Sequence, residues 1–338
     1  MRLARARLGT TGPFPASAVL ITDETGQFLA GRGVTGAMGR PAAVVAALAD
    51  ARGKTAGGTA YLTLEPDASE GIYDSEAGKL CESGIARAVI GALEPDRSRR
   101  GRGARALAEQ GIDIVLTDNA PCERLIEAYA TRQLHQRPFA TAYLATSADG
   151  MIAGPGGAPL GLLTPDAQRW VDARRSMADA VLTSARALSR HGLVSIHADG
   201  TTPLVVVSGR SDSPVELGAR TMVIVTAADH ADRLTSDDAI VVPERNGRLD
   251  LSAMTAVLAE RGVNALHVQA GMRLTESLIS AELIDRFQLV ESTLEVGRGG
   301  IPATPLGAMD ARLRAAGFSI VQERLLGENR LRTFERTL

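Results

Sequence analysis

The groups that could do acid–base, nucleophilic or metal chemistry are unevenly spread along this chain. Its five histidines are His135, His191, His197, His230 and His267, so residues 1–134 contain none. The two lysines are Lys54 and Lys79, and every later basic group is arginine or histidine. The two cysteines, Cys81 and Cys122, lie far apart without a metal-ligand spacing, and both are expected to be packing residues or inert thiols. A disulfide scaffold is excluded, and a reducing compartment is expected. Gly31-Arg32-Gly33-Val34-Thr35-Gly36 fits the glycine pattern of a dinucleotide loop. That chemistry needs a strand entering the glycines and a helix leaving them, so that pyrophosphate meets the helix N-terminus. Here the glycines follow the second arm of a hairpin and the helix starts later, which reads as a plain glycine-rich loop. Arg97, Arg99, Arg100, Arg102 and Arg105 could hold a phosphate or RNA, but no aromatic residue is interleaved for stacking. A solvated loop is expected there.

The elements that must position these groups alternate at short spacing. Residues 17–22 read as a buried strand, 23–26 as a turn and 27–30 as its hairpin partner. Helices are expected at 42–51, 103–110 and 120–132, the last with Asn119 as N-cap. Strands are expected at 59–64, 86–91 and 112–116, and residues 67–76 read as polar and irregular. The first half is thus an α/β sandwich with a largely parallel sheet. Residues 133–138 are polar and end in proline, which places a domain boundary between 136 and 137. Beyond it, strands are expected at 139–146, 180–183, 203–207, 221–225, 239–242 and 265–269. Helices are expected at 165–176, capped by Thr164, and at 252–261 and 273–280. Residues 287–292, 319–325 and 331–335 read as antiparallel strands.

The bulk properties agree with two globular domains. The chain has 338 residues, 45% of them hydrophobic and 22% charged, with a formal net charge of −2. That balance argues against a general nucleic-acid or membrane-surface binder. No apolar run approaches the ~20 residues that span a bilayer. The basic N-terminus lacks the apolar stretch of a signal peptide, so the expected location is cytoplasmic.

The order of segments resembles the bifunctional riboflavin-biosynthesis deaminase–reductase family. Pro13-Phe14-Pro15 before Ala18-Val19-Leu20-Ile21 is similar to that family's opening Pro-Asn-Pro-x-Val-Gly strand. Gly39-Arg40-Pro41-Ala42-Ala43-Val44 falls where the family has Gly-x-Pro-His-Ala-Glu. Thr63-Leu64-Glu65-Pro66-Asp67 resembles its Thr-Leu-Glu-Pro-Cys, and Gly84-Ile85-Ala86-Arg87 follows in place. Arg137-Pro138-Phe139-Ala140-Thr141 and Ser147-Ala148-Asp149-Gly150 resemble the opening of the reductase domain. The resemblance implies a cytidine-deaminase-like three-layer sandwich at 1–136, followed by a dihydrofolate-reductase-like domain at 137–338.

It also shows what this chain lacks. A zinc deaminase needs a histidine, two cysteines and a proton-shuttling glutamate. The matching positions hold Ala42, Asp67, Glu76 and Val44, and the pyrimidine-contacting asparagine is Phe14. Two carboxylates without imidazole or thiolate suit zinc poorly, and valine cannot move a proton. The expectation is therefore no zinc and no deamination.

For the reductase half the resemblance implies NADPH as cofactor, with Ala145, Ser147, Asp149, Gly150, Thr183, Ser184 and Gly271 lining its cleft. Tyr143 stands for a strand lysine, Gln269 for the glutamate of a Val-Glu-Gly-Gly turn, and Arg175 matches a substrate-contacting arginine. Ala187 and the stretch from Arg190-His191-Gly192 replace a threonine and an Asp-Asp-Pro…Arg stretch, removing a phosphate-side arginine. The implied activity is reduction of a ribosylated pyrimidine or related pterin, with a less anionic substrate preferred. The alternative is a non-catalytic paralogue that binds a nucleotide-like ligand or a partner protein. The implied assembly is a homodimer, and no catalytic residue is assigned.

Overall fold

The computed structural model describes residues 1–69, 75–117, 119–184, 204–207, 221–226, 239–245, 248–304 and 309–337. The chain divides into two compact units: Met1–Pro138 with Ala259–Asn264, and Phe139–Leu258 with Ala265–Leu338.

In the first unit the elements run α1 (Arg2–Arg5), β1 (Ala18–Thr22), β2 (Leu29–Val34), α2 (Ala43–Ala51), β3 (Thr59–Leu62), α3 (Glu76–Glu82), β4 (Arg87–Ile90), α4 (Arg102–Glu109), β5 (Asp113–Leu116) and α5 (Ala120–His135). They build a sheet of order β2-β1-β3-β4-β5. The expected parallel pairing holds for β3, β4 and β5 only; β1 runs antiparallel to both β2 and β3. Side chains alternate across the strands. Val19, Ile21, Ala60, Leu62, Ala88 and Ile90 face a helical layer built from α2, α3 and α4. On the other face Ala18 packs on Leu125 of α5 and Ala4 of α1. Asn119 caps α5, its side chain accepting from the N–H of Cys122 at 3.2 Å.

The glycine run is not a loop. Gly31 and Gly33 lie inside β2, paired with Ile21 and Val19. Both are buried against α2, so the hairpin arm expected at 27–30 is instead a strand running on to Val34. Residues 76–82, expected in part to be irregular, form α3, with the Ser75 hydroxyl capping it from 3.0 Å to the N–H of Gly78.

The second unit runs β6 (Phe139–Thr146), β7 (Met151–Ala153), α6 (Pro165–Arg175), β8 (Ala180–Ser184), β9 (Leu204–Val207), β10 (Thr221–Thr226), β11 (Ala239–Val242), β12 (Glu244–Arg245), β13 (Arg248–Leu249), α7 (Leu251–Glu260), β14 (Ala265–Val268), α8 (Met272–Ser280), β15 (Arg286–Glu291), β16 (Ile301–Pro302), α9 (Met309–Ala315), β17 (Phe318–Leu326) and β18 (Asn329–Arg336). Among the described residues the main sheet has the order β11-β10-β9-β8-β14-β6-β15-β18-β17. Pairing is parallel from β11 to β15 and antiparallel at β18 and β17. The strand expected to be antiparallel at 287–292 is thus parallel to β6 and antiparallel only to β18. Thr164 caps α6 as expected. The chain lays β14 between β8 and β6, reversing the direction of strand addition. Such a switch point opens a crevice at the carboxyl ends of parallel strands.

Candidate functional site

Register brings the expected substrate residues to that switch point. His267 lies beside Thr141 on one side and Val181 on the other, so the next alternate residues, Tyr143, Thr183 and Gln269, share one face. Gln288 sits directly opposite Tyr143 on β15. Helix α6 covers this face, with Ala167 and Val171 packed against Tyr143, Val290 and Leu331. Arg175, in the last turn of α6, is buried and reaches Gln269 Oε1 at 3.5 Å while its other amino group pairs with Asp172. Burial pushes the Tyr143 hydroxyl far above its usual range, against the pull of the Arg175 charge. Tyr143, Arg175 and Gln269, far apart in sequence, therefore converge.

His267 is the residue of this cluster that sequence reasoning missed. Its ring stacks on Tyr143, with centroids 6.1 Å apart and planes 23° from parallel. Among the described residues its Nε2 has no hydrogen-bond partner, and neither have the Tyr143 hydroxyl, the Thr183 hydroxyl or Gln288 Oε1. Burial, helped by the Arg175 charge, lowers the imidazole to about 4. A histidine at an inward position of a central strand looks like any other buried residue in a pattern of alternation.

The expected cofactor residues separate into two groups. Ala145, Ser184 and Gly271 stand at or just beyond the ends of β6, β8 and β14. Gly271 is the N-cap of α8, and a Cβ added there would meet nothing within 4 Å, so the backbone N–H groups of the first turn are approachable. Thr183 is fully buried and presents no surface. Ser147, Asp149 and Gly150 instead build a turn. The Ser147 hydroxyl donates to Asp149 Oδ1 at 2.5 Å and accepts from the N–H of Met151 at 2.8 Å. Asp149 also accepts from the N–H groups of Val296 and Gly297 at 3.2 and 2.8 Å, tying this turn to the 294–300 loop. The Ser147 hydroxyl first, then these backbone donors, hold its carboxyl down at about 2. Ala187, Arg190, His191 and Gly192 lie outside the described residues.

The first unit holds a cavity of about 650 Å³. The four positions that the resemblance matches to a zinc site, Ala42, Val44, Asp67 and Glu76, all line it, with Phe14 among them. Glu76 Oε2 accepts from the N–H of Asp67 at 3.1 Å. Burial, with the Asp67 carboxylate adding to it, pushes the Glu76 acid up, while the Asp67 N–H pulls it down. No imidazole or thiolate lines the cavity, and among the described residues no three His, Cys, Asp or Glu side chains cluster as metal ligands. The donor set does not fit zinc. The arginine cluster expected to be solvated is partly folded inward. Arg99 pairs with Glu94 at 3.1 Å and Asp96 at 3.0 Å, and it donates to the Tyr129 hydroxyl at 3.2 Å; Arg99 and Arg102 both line the cavity. Glu65, of the family-like Thr-Leu-Glu-Pro run, is buried and accepts three backbone N–H bonds, from Glu94, Gly101 and Ala104. That brace holds the arginine-bearing segment against the end of β3.

Comparison with known proteins assigns the chain. Residues 138–326 match the family model described as the RibD C-terminal domain. The riboflavin biosynthesis protein RibD of Corynebacterium ammoniagenes is 30% identical over 311 residues, covering 88% of this chain and 85% of that protein. RibD of Escherichia coli K12 is 28% identical over 310 residues, 84% and 83% of the two chains. The match to RibD of Synechocystis, 32% identical, covers 64% of this chain and 59% of that protein. In structure the whole chain superposes on Acinetobacter baumannii RibD with a TM-score of 0.84 at 21% identity, covering 96% of that chain. The Thermotoga maritima diaminohydroxyphosphoribosylaminopyrimidine deaminase/5-amino-6-(5-phosphoribosylamino)uracil reductase gives 0.81 at 20% identity, over 99% of this chain and 96% of that one. The fold is thus the expected pair of α/β domains, deaminase-like then reductase-like, and by sequence the chain belongs to the RibD family.

Proposed function

We propose that the second unit is an NADPH-dependent reductase of a ribosylated pyrimidine or a related pterin, in a chain whose first unit does not deaminate. The observation that carries this reading is the convergence of Tyr143, Arg175 and Gln269 beside the strand ends that carry Ala145, Ser184 and Gly271. NADPH, when bound, supplies the hydride; the protein binds and orients. Gly271 and the first turn of α8 would receive its phosphates, and Ala145 and Ser184 would border it. Ser147 and Asp149 hold the neighbouring turn in place. A cytoplasmic location and a homodimer belong to the same proposal. The test is an NADPH titration of the full chain followed by a turnover assay on ribosylated aminopyrimidines. Gly271→Trp is expected to weaken NADPH binding at least tenfold while the melting temperature stays put, because its side chain enters open space. No NADPH or NADH affinity at millimolar concentration would end the reductase reading.

Among the described residues the substrate side is poor in free charge. Tyr143 and Gln269 are neutral, and Arg175 already faces Asp172. We therefore expect the unphosphorylated ribosyl compound to bind at least as well as its 5′-phosphate. Calorimetry on matched pairs decides it: a phosphate form binding tenfold tighter, about 1.4 kcal/mol, contradicts the expectation. Arg175→Ala should weaken whichever form binds by about tenfold; unchanged affinity would remove Arg175 from the site.

A further inference from the structure

The sheet of the first unit is covered unequally on its two faces. Val19, Ile21, Ala60, Leu62, Ala88 and Ile90 pack under α2, α3 and α4. On the opposite face α5 and α1 pack on Ala18, Leu64 and Ala92, which gather at one end of the strands. The next row of side chains lies beyond that cover. Leu20 stands opposite Tyr61, Tyr61 opposite Val89 and Val89 opposite Val115, so four apolar side chains cross four adjacent strands in one line. They point away from the core, because successive strand residues face opposite sides. Tyr61 is 45% exposed, and Leu20 and Val115 are each 37% exposed. Single exposed apolar side chains are ordinary, but a continuous line of them marks an interaction surface.

The borders of this line specify the partner. Arg32, exposed on β2 opposite Leu20, puts a cation at one end. The next row holds Thr59, Arg87 and Asp113, and there Arg87 pairs with Asp113 at 2.6 Å with both side chains half exposed. An apolar middle that contains a tyrosine, with a charged rim, is the make-up of a protein interface. Tyr61 lies on β3, the middle strand of the five. A two-fold axis along β3 therefore lays this face on a copy of itself, with β2 over β5, β1 over β4 and β3 over β3. That rotation sets Tyr61 on its own counterpart and Leu20 on the second copy's Val89. It also carries the stem of Arg32 across the second copy's Val115 toward its Asp113. Apolar groups meet apolar groups, and the two ends carry opposite charge. The formal net charge of −2 leaves little repulsion between copies.

We propose that this open sheet face is a contact between two copies of the chain, packed face to face about a two-fold axis along β3. The surface lies within the first unit and does not rest on the reductase reading. From Arg32 to Val115 the row spans four strand spacings, about 19 Å. That is smaller than a standard interface of ~800 Å² per copy, so the association is weak and reversible. Sedimentation of the full chain from about 1 to about 200 μM should show a concentration-dependent association step. Tyr61→Glu and Leu20→Glu should each weaken that step at least tenfold with the melting temperature unchanged. Arg32→Asp, which would face Asp113, should weaken it at least threefold. Cross-linking tests the register. Under oxidised glutathione, Tyr61→Cys should give a covalent dimer joined 61 to 61, located by mass spectrometry. Leu20→Cys and Val89→Cys chains should link when mixed and far less when alone. Thr25→Cys, exposed on the turn between β1 and β2, controls for random collision. A single sedimenting species over the whole range, an association step undiminished in both folded glutamate variants, or a Tyr61→Cys chain that links no faster than Thr25→Cys would each overturn the proposal. NADPH affinity, measured in the same samples, reports separately on the second unit.

Discussion

Gly33→Val should destabilise the first unit by about 3 kcal/mol or more, enough to leave much of it unfolded. A Cβ at Gly33 would lie 2.2 Å from the carbonyl oxygen of Ala43 and 2.3 Å from the amide nitrogen of Ala47. At Gly31 the nearest atom would be the carbonyl oxygen of Ala47 at 2.4 Å. These are helix backbone atoms, which cannot rotate away as a side-chain tip can. Helix α2 rests directly on the backbone of β2, and the two glycines are what allow it. To admit valine, α2 would have to lift, pulling Ala43, Val44 and Ala47 out of a core they share with Ile21 and Leu62. The same movement would carry off the Ala42 and Val44 wall of the cavity. Amide hydrogen exchange across β1, β2 and β3 measures the effect unit by unit. Gly161→Ala is the control, since a Cβ there meets nothing within 4 Å, and it should stay within about 0.5 kcal/mol. Gly33→Val protein with wild-type exchange protection would show that α2 can yield.

These glycines also show where the sequence is readable and where it is not. Their spacing is visible, but a loop glycine and a glycine under a helix look alike until the helix is placed on the strand. Local signals did better. Asn119 before Ala120-Pro121 and Thr164 before Pro165 carry their caps in adjacent residues, and both helices start there. The strand at 139–146 carries Phe139, Tyr143 and the β-branched Thr141 and Thr146 and lies where expected, and the one expected at 265–269 ends one residue earlier, at Val268. Helix α3 is short, and its cap sits in a polar stretch, so its start was hidden. The site residues Tyr143, Arg175 and Gln269 were found through the family's order of segments, not through spacing. Nothing local says that β14 slots between β8 and β6. The bond from the Asp67 N–H to Glu76 and the inward turn of Arg99 have partners in other segments of the chain, and charge patterning alone reads such groups as solvated.

His267 should make the second unit acid-labile, with a loss of about 3 kcal/mol between pH 6.5 and pH 4. In the folded chain the ring stays neutral down to about pH 4, because burial, then the nearby Arg175 charge, opposes protonation. In the unfolded chain it takes up its proton near pH 6.5. Within that window the unfolded state binds more protons, so stability falls as the pH falls. Above pH 6.5 the ring is neutral in both states and contributes no pH dependence. His267→Phe keeps a flat ring under Tyr143 and removes the titration. Other acid-sensitive groups remain in both proteins and cancel in the difference. The measurement is therefore the gap in unfolding free energy between His267→Phe and wild type, from urea titrations followed by fluorescence of Trp170, the chain's single tryptophan, which lies on α6 over this same face. The gap should be flat from pH 8 to pH 7 and then move in favour of phenylalanine by roughly 1.4 kcal/mol for each pH unit below 6. Parallel curves down to pH 4.5 would mean that the folded ring accepts its proton at an ordinary pH. The layer under α6 would then have to be far more polar than the unpartnered Nε2 of His267 and hydroxyl of Tyr143 imply.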